Sequence, residues 1–403
     1  MGSDQFSDRY NSHWERKKVK DVAVVNEENI SSSDIFDEIE YIEISNVNKG
    51  EISDIPIVDY DDAPSRAKRK VKQNDILIST VRPNLEHYAF IKSANLNTIA
   101  STGFAVVTAK DIEPRFLYYV LTSQNYTDYF SMIAEGHTSA YPAMNPDVIE
   151  NVEIPVPSKK EQKRIAHILG TLDDKIKLNT RMNETLEAIA RAIFKSWFVD
   201  FDPVKAKIAG EPYPLPDAIM ALFPDELVES KLGLIPKGWE VVTVGDVYEF
   251  LYGKSLPKRK RILGQYPVYG SNGVIGTHNE KLVNGPGIVI GRKGNPGFVT
   301  WAANDFYPID TTFYINTELP MIFAFYQMDF LSISRLSADS AVPGLNRNIA
   351  YLEEIVLPKY ITMSTFEKFT SKMYKKINFN NVEIKTLTYI KYSLIPKLLS
   401  GEI

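Results

Sequence analysis

Hydrophobic and polar positions along this chain follow two different periods, and the change of period divides it. From Trp14 to about Pro157 short β-like runs predominate, among them "DILISTV", "YAFI", "GFAVVTA" and "VEIPVP", with polar, turn-rich segments between them. One helix is predicted there, over Pro114–Tyr129, because Pro114 can open it and Phe116, Leu117, Val120 and Leu121 share a face. After a tail at 1–13, residues 14–157 read as a compact α/β domain.

Residues 158–200 change to a helical period. "SKKEQKRIAHILGTLDDKIKLNTRMNETLEAIARAIFKSWF" contains no proline, and Ser158 followed by Glu161 fits a capping box at its start. Ile165, Ile168, Leu172, Ile176, Met182, Leu186, Ile189, Ile193 and Trp197 recur mostly three and four apart, a seam of coiled-coil type. At about 1.5 Å per residue such a helix is about 60 Å long. Pro203 is expected to end it, and the proline-rich stretch 201–234 reads as an ordered linker or a pair of short helices. "IPKGW" opens a second β-rich domain, 235–358, with strands at "GIVIG" and "TTFYI". A second helical rod occupies 359–403, its seam running over about Thr362–Leu399.

The two halves repeat each other. "SAYPAMN" (Ser139 to Asn145) returns 201 residues later as "SAVPGLN" (Ser340 to Asn346). Glu153, Ile154 and Pro157 return at the same offset as Glu354, Ile355 and Pro358. "WERKKVKDV" from Trp14 returns as "WEVVTVGDV" from Trp239, 225 residues later, and Ile76–Ile78 has a counterpart 212 later in Ile288–Ile290. A falling offset with preserved order is the mark of a duplicated unit of which one copy has lost loop residues. Phe366, Met373, Leu387 and Leu394 lie 201 after Ile165, Leu172, Leu186 and Ile193. Asn179 and Asn380 share that offset and both fall on the seam, where a buried asparagine costs stability but fixes register. The expected fold is α+β: a tandem duplication of an α/β domain followed by a long helix, the two helices pairing as an antiparallel coiled coil.

Composition adds exclusions. The 403 residues are 44% hydrophobic and 11% aromatic, ordinary values for a globular protein of two or more domains. No apolar run approaches the roughly 20 residues of a membrane helix, and the start "MGSDQFSDRY" has no signal-peptide pattern. There is no cysteine, so disulfides, thiolate zinc sites and cysteine nucleophiles are excluded. A cytoplasmic protein without a membrane partner is expected. The net charge of −5 does not itself suggest nucleic acid, but a binding face needs only a local positive patch.

Catalytic motifs are not found. "NPGF" (Asn295 to Phe298) resembles the loop with which amino-methyltransferases grip a flipped base, but glycine replaces the second proline and no cofactor loop lies upstream. The glycines of "YGSNGVIG" have the wrong spacing for a dinucleotide fingerprint. Pro216-Asp217 with Glu229-Ser230-Lys231 mimics a nuclease pattern, yet lies in the linker, where no β-like alternation is seen. The five histidines have no metal-ligand spacing, and no Walker loop occurs. No catalytic residue and no metal ligand is assigned.

The chain reads as a binder. "RAKRKVK", with Lys68, Arg69 and Lys70, and "KSLPKRKR", with Lys254, Lys258 and Arg259, put one basic cluster in each domain. A solvated charge run explains either alone; a pair near turns rich in Tyr, Ser, Asn and Gly fits phosphate positioning beside base readout. Candidate contacts in the first domain are Arg82 and Asn84, with Ser139, Tyr141 and Asn145 of the repeated word. In the second domain they are Tyr269, Ser271, Asn272, Arg292, Lys293, Asn346 and Arg347. The alternative for the repeated words is a structural turn, and for Arg292 an ion pair with Asp305 or Asp310.

At "PVPSKKEQKRIAHILGTLDDKI", "ARAIFKSWFVDFDPVKAK", "LFPDELVESKLGLIPKGW" and "LIPKLLSGEI" the sequence closely resembles the specificity subunits of type I restriction-modification systems, in the family's order and over nearly the whole chain after Trp14. "YPVYGSNGVIG" is also typical of the family, whereas Ser158-Lys159-Lys160 departs from its usual apolar and proline residues. The resemblance implies that 14–157 and 235–358 are target recognition domains, each reading one half of a bipartite sequence in double-stranded DNA. It implies that the helices at 158–200 and 359–403 set the spacer and dock two methyltransferase subunits, which two restriction motor subunits can join. S-adenosylmethionine, ATP and magnesium then belong to those partners, and this chain has no cofactor of its own. The competing readings are a stand-alone DNA adenine methyltransferase and a coiled-coil scaffold that does not bind DNA.

Overall fold

The computed structural model describes residues 14–31, 33–137, 142–336 and 344–403. Two units emerge, one combining the chain up to Lys177 with Ile384–Ile403, the other Leu178–Glu383. Both boundaries fall inside the long helices, so each unit holds one β-rich half and a portion of both helices.

In the first unit, Glu15–Lys18 pairs antiparallel with Glu153–Val156 and closes the β-rich half just before the helix begins. Behind it a four-stranded sheet runs in the order Ala23–Val25, Phe104–Ala109, Ile76–Ser79, Tyr88–Phe90. A second has the order Ile57–Asp59, Glu38–Ile42, Thr98–Ser101, Ala67–Lys70. The strand period of two separates the apolar run: Ile76 and Ile78 join the core that also holds Phe116, Leu117 and the helix residues Ile165 and Leu169. Leu77 joins a separate core with Ile42, Val47 and Phe104. A strand buried on both faces must read as a continuous apolar run, as this one does.

The second unit repeats the plan. Glu240–Thr243 pairs with Glu354–Leu357, and a sheet runs Glu249–Tyr252, Thr312–Asn316, Gly287–Gly291, Val299–Ala302. The registers correspond: Val25 faces Val107 in one sheet as Phe250 faces Ile315 in the other. The remaining sheet differs, with three strands in the order Gly273–His278, Tyr266–Gly270, Tyr307–Pro308.

The described ends of the repeated words, Pro142–Asn145 and Gly344–Asn346, perform one structural task in both units. Ala143 bridges Val81, and the Met144 amide donates to the Thr80 carbonyl at 2.9 Å. Gly344 bridges Lys293, and the Leu345 amide donates to the Arg292 carbonyl at 2.9 Å. Met144 and Leu345, 5% and 4% exposed, plug the core beneath. Each word thus latches the loop that leaves the central buried strand.

The helices Lys159–Phe198 and Tyr360–Ser400 pair antiparallel. In the first unit Lys391 reaches Asp173 at 2.7 Å. In the second, Asn179 donates to Glu383 at 2.8 Å, Asn183 to Asn381 at 2.9 Å and Asn380 to Asn183 at 2.8 Å. Asn179 and Asn380 are fully buried.

Three local expectations are corrected. The helix predicted over Pro114–Tyr129 is two, Pro114–Leu121 and Gln124–His137. The Thr122 and Ser123 hydroxyls donate to the Tyr118 and Val120 carbonyls at 2.7 and 2.8 Å, competing with the helical ladder at the break. Pro203 does not end the first long helix. The chain turns at Phe201, whose φ is 59°, and Pro203 sits in the first turn of Asp202–Ala209, where a missing N–H is harmless. The stretch 201–234 also holds a second short helix, Asp217–Met220, and a hairpin, Leu227–Ser230 with Gly233–Pro236. Glu229 therefore does lie on a strand, while Asp217 is helical and Lys231 pairs with Glu354 at 3.1 Å.

The "LGTLDD" segment ties the first β-rich half to its helix. Tyr119 donates to Asp173 at 2.6 Å, and Arg115 makes two bonds to Asp174 at 3.0 and 3.1 Å and one to the Gly170 carbonyl at 2.9 Å. A Cβ at Gly170 would stand 2.6 Å from the Arg115 guanidinium carbon, so only glycine lets that side chain lie across the helix. Burial pushes the Asp174 carboxyl up, but hydrogen bonds and charge from Arg115 and Lys92 outweigh it and hold the group at about 2. Its folded value lies below the ordinary 3.9, so the contribution is present above about pH 4 and is lost as pH falls through about 2. Asp174→Asn is expected to lower the thermal midpoint of the first unit at pH 6 and to flatten its decline between pH 4 and 2. Equal declines in both proteins would exclude this pair as an acid-sensitive tie.

Candidate nucleic-acid interface

The two basic clusters differ once their counter-ions are seen. In the first unit Lys70 pairs with Asp34 at 2.5 Å, and Lys72 reaches Glu28 at 2.5 Å and Glu27 at 3.5 Å. Lys110 adds a 2.6 Å pair with Glu27. The Lys70 and Ser31 hydrogen bonds hold the Asp34 carboxyl at about 2. Arg69 is half-buried and donates to Asn29 at 2.9 Å, and desolvation lowers its pKa. Lys68 remains exposed.

In the second unit Lys254 and the turn Lys258–Lys260, which includes Arg259, are exposed and make no side-chain ion pair among the described residues. Arg261 is turned inward, its guanidinium on the Leu256 and Ile275 carbonyls at 3.2 and 2.9 Å.

The latched loops carry the other candidates. Arg82 and Asn84 are exposed, Arg82 in a left-handed conformation with φ 49° before the turn Pro83–Leu85. Asn145 is the residue before the helix Pro146–Asn151. Ser139 and Tyr141, and Ser340 of the second word, lie outside the described residues. In the second unit Lys293 is exposed, and Arg292 donates to the main-chain carbonyl of Asp310 through Nε at 3.2 Å and Nη2 at 2.9 Å. It pairs with neither carboxylate considered above; Asp305 is held by Lys281 at 2.6 Å.

Three candidates are built into the framework. Tyr269 is 6% exposed, its ring edge-on to Phe306 at 5.5 Å, and burial pushes its hydroxyl pKa up. Ser271 donates to the Lys293 and Thr311 carbonyls, the latter at 2.9 Å. The hairpin joining Tyr266–Gly270 to Gly273–His278 has two loop residues, Ser271 half-buried and Asn272 exposed. Asn346 caps the helix Arg347–Tyr351 by accepting from the Asn348 amide at 2.9 Å.

The sequence pattern did not single out Tyr252. Its ring is 50% exposed, with the Arg292 guanidinium carbon 5.3 Å and that of Arg347 5.1 Å from the centroid. Arg347 also donates to the Phe250 carbonyl at 3.2 Å and lies 5.7 Å from the Tyr351 ring. Three side chains converge from a strand, the end of another and a helix start. An aromatic residue closing the strand "EFLY" before a glycine was the local signal available. Among the described residues no cluster of three or more His, Asp or Glu is placed to hold a metal, and no helix is long and apolar enough to cross a membrane.

Comparison with known proteins bears on the whole chain. Residues 11–188 and 236–359 match the family described as type I restriction modification DNA specificity domain. The HindI specificity subunit, a type I restriction enzyme component of Haemophilus influenzae, is 29% identical across 97% of this chain and 100% of its own length. The MjaIX specificity subunit of Methanocaldococcus jannaschii is 27% identical across 75% of this chain and 72% of its own. Among solved structures, the S subunit of a type I restriction-modification system from M. genitalium shares the fold, with a TM-score of 0.61 at 16% identity over 96% of this chain and 97% of that one.

Proposed function

This chain belongs to the type I restriction-modification DNA specificity family, and from that membership we propose that its two β-rich domains each read one half of a bipartite target in double-stranded DNA. The paired helices set the spacer between the half-sites and dock two methyltransferase subunits, which two restriction motor subunits join. S-adenosylmethionine, ATP and magnesium are used by those partners, and this subunit supplies the address. One observation carries the reading. Both units present a loop from the same buried strand, latched by the same word, yet the side chains differ: Thr80, Val81 and Arg82 in one, Arg292, Lys293 and Gly294 in the other. A duplicated scaffold with divergent loops suits two different half-sites.

The test is an exchange. Replacing residues 235–358 by the matching domain of another family member is expected to change one half of the methylated motif and leave the other half intact, as read by sequencing of methylated sites. A change in both halves would refute the assignment of one domain to one half-site.

A further inference from the structure

We infer that Tyr252, Arg292 and Arg347 form a preassembled base-reading head of the second unit, with the arginine fork of Arg292 directed at guanine and Tyr252 as its positioning residue. This rests on the proposed role in DNA recognition and names the chemistry of one part of it.

The internal duplication supplies the comparison. The latches place Thr80 of the first unit at the position of Arg292 and Pro146 at that of Arg347, and the first-unit strand that matches Glu249–Tyr252 stops at Val25, short of a counterpart for Tyr252. Positions that hold the fold agree between the copies, as Trp14 does with Trp239 and Met144 with Leu345. At these two positions the copies share no chemistry. Two guanidiniums beside one aromatic ring are thus a feature of the second copy and not of the shared scaffold.

Electrostatics gives the cluster a direction. Two guanidiniums about 5 Å from one ring centroid repel each other, and among the described residues neither has an ion-pair partner. The ring face offsets part of that repulsion, and an acceptor-rich surface laid against the cluster would offset more. The inner edges are already committed, Arg292 to the Asp310 carbonyl and Arg347 to the Phe250 carbonyl. Arg292 is thereby held in one orientation, its Nε–Nη2 edge on the carbonyl and its Nη1–Nη2 edge without a bond among the described residues. Guanine offers two acceptors, N7 and O6, to a planar fork in the major groove, whereas a phosphate attracts any cation without regard to sequence. A fork fixed in direction gains more from the first than from the second.

The experiment uses the full chain assembled with methyltransferase and a DNA panel carrying every single-base-pair change in the half-site of the second domain. Tyr252→Ala is expected to lose roughly tenfold or more of the discrimination at one guanine position, with the salt dependence of binding unchanged. Tyr252→Phe keeps the ring face and should retain the parental profile. Arg292→Lys keeps the charge but not the fork and should reproduce the alanine loss, which also serves if Tyr252→Ala does not fold. A parental profile for Tyr252→Ala or Arg292→Lys would overturn the head. So would a uniform loss over all sequences with a shallower salt slope, since that marks a phosphate clamp. If the unmodified assembly selects no sequence at all, the recognition reading itself fails, and this head with it.

Discussion

Phe194→Ala is expected to destabilise the second unit by about 3–5 kcal/mol, the range for removing a buried aromatic ring that its surroundings cannot refill. Phe194 lies on the first long helix and is 2% exposed. Its ring centroid is 5.2 Å from Phe198, 5.6 Å from Phe323 and Tyr326, 5.3 Å from Phe330 and 5.7 Å from Phe366. Those partners come from both long helices and from the helix Met321–Phe330, so one ring joins three elements. Ring pairs of this kind add to the area buried, because edge-on and offset rings attract through their quadrupoles. Phe194→Leu keeps most of the volume and should cost considerably less. Urea unfolding followed by the fluorescence of the buried Trp197 measures both. A loss below about 1 kcal/mol for the alanine variant would show that this cluster does not hold the unit together.

That ring cluster explains why part of the fold was legible. "FKSWF" and "IPKGW" lie in sustained patterns, and their aromatic residues Phe194, Trp197, Phe198 and Trp239 are all core groups. Long helical periods and repeated words survive local noise because many residues report the same element. Short elements do not have that support. The break at Thr122–Ser123 depends on two hydroxyls, and the hairpin Leu227–Pro236 has only four residues per strand. The candidate interface was legible by location rather than by residue. Arg292 and Lys293 are singled out by their place after an apolar strand, but Tyr252 meets Arg292 and Arg347 only through the sheet and the latch. Charge runs misled in the opposite sense. Asp34, Glu27 and Glu28 stand far upstream of the lysines they neutralise, so a local count of "RAKRKVK" overstated the positive charge that remains.

The same asymmetry sets the last expected result. Replacing Lys258, Arg259 and Lys260 together by alanine should reduce the slope of log K against log salt by about two to three units, about one for each phosphate no longer neutralised. Binding should weaken for every DNA sequence alike, because phosphates carry no base information. The turn is exposed on all three residues and has no counter-ion among the described residues, so its charge is available to DNA and its removal leaves no partner stranded. Lys70→Ala with Lys72→Ala removes two formal charges from the first unit against three from the second, and there the cations already neutralise Asp34, Glu27 and Glu28. That pair should change the slope by well under one unit, since the carboxylates it uncovers repel the DNA only through screened solvent. Equilibrium binding of the assembled methyltransferase at a series of salt concentrations, with a matched and an unrelated duplex, gives both slopes. Equal slopes for the two variants would mean that the counter-ions of the first unit open when DNA arrives, and the assignment of the phosphate grip to the second unit would fall.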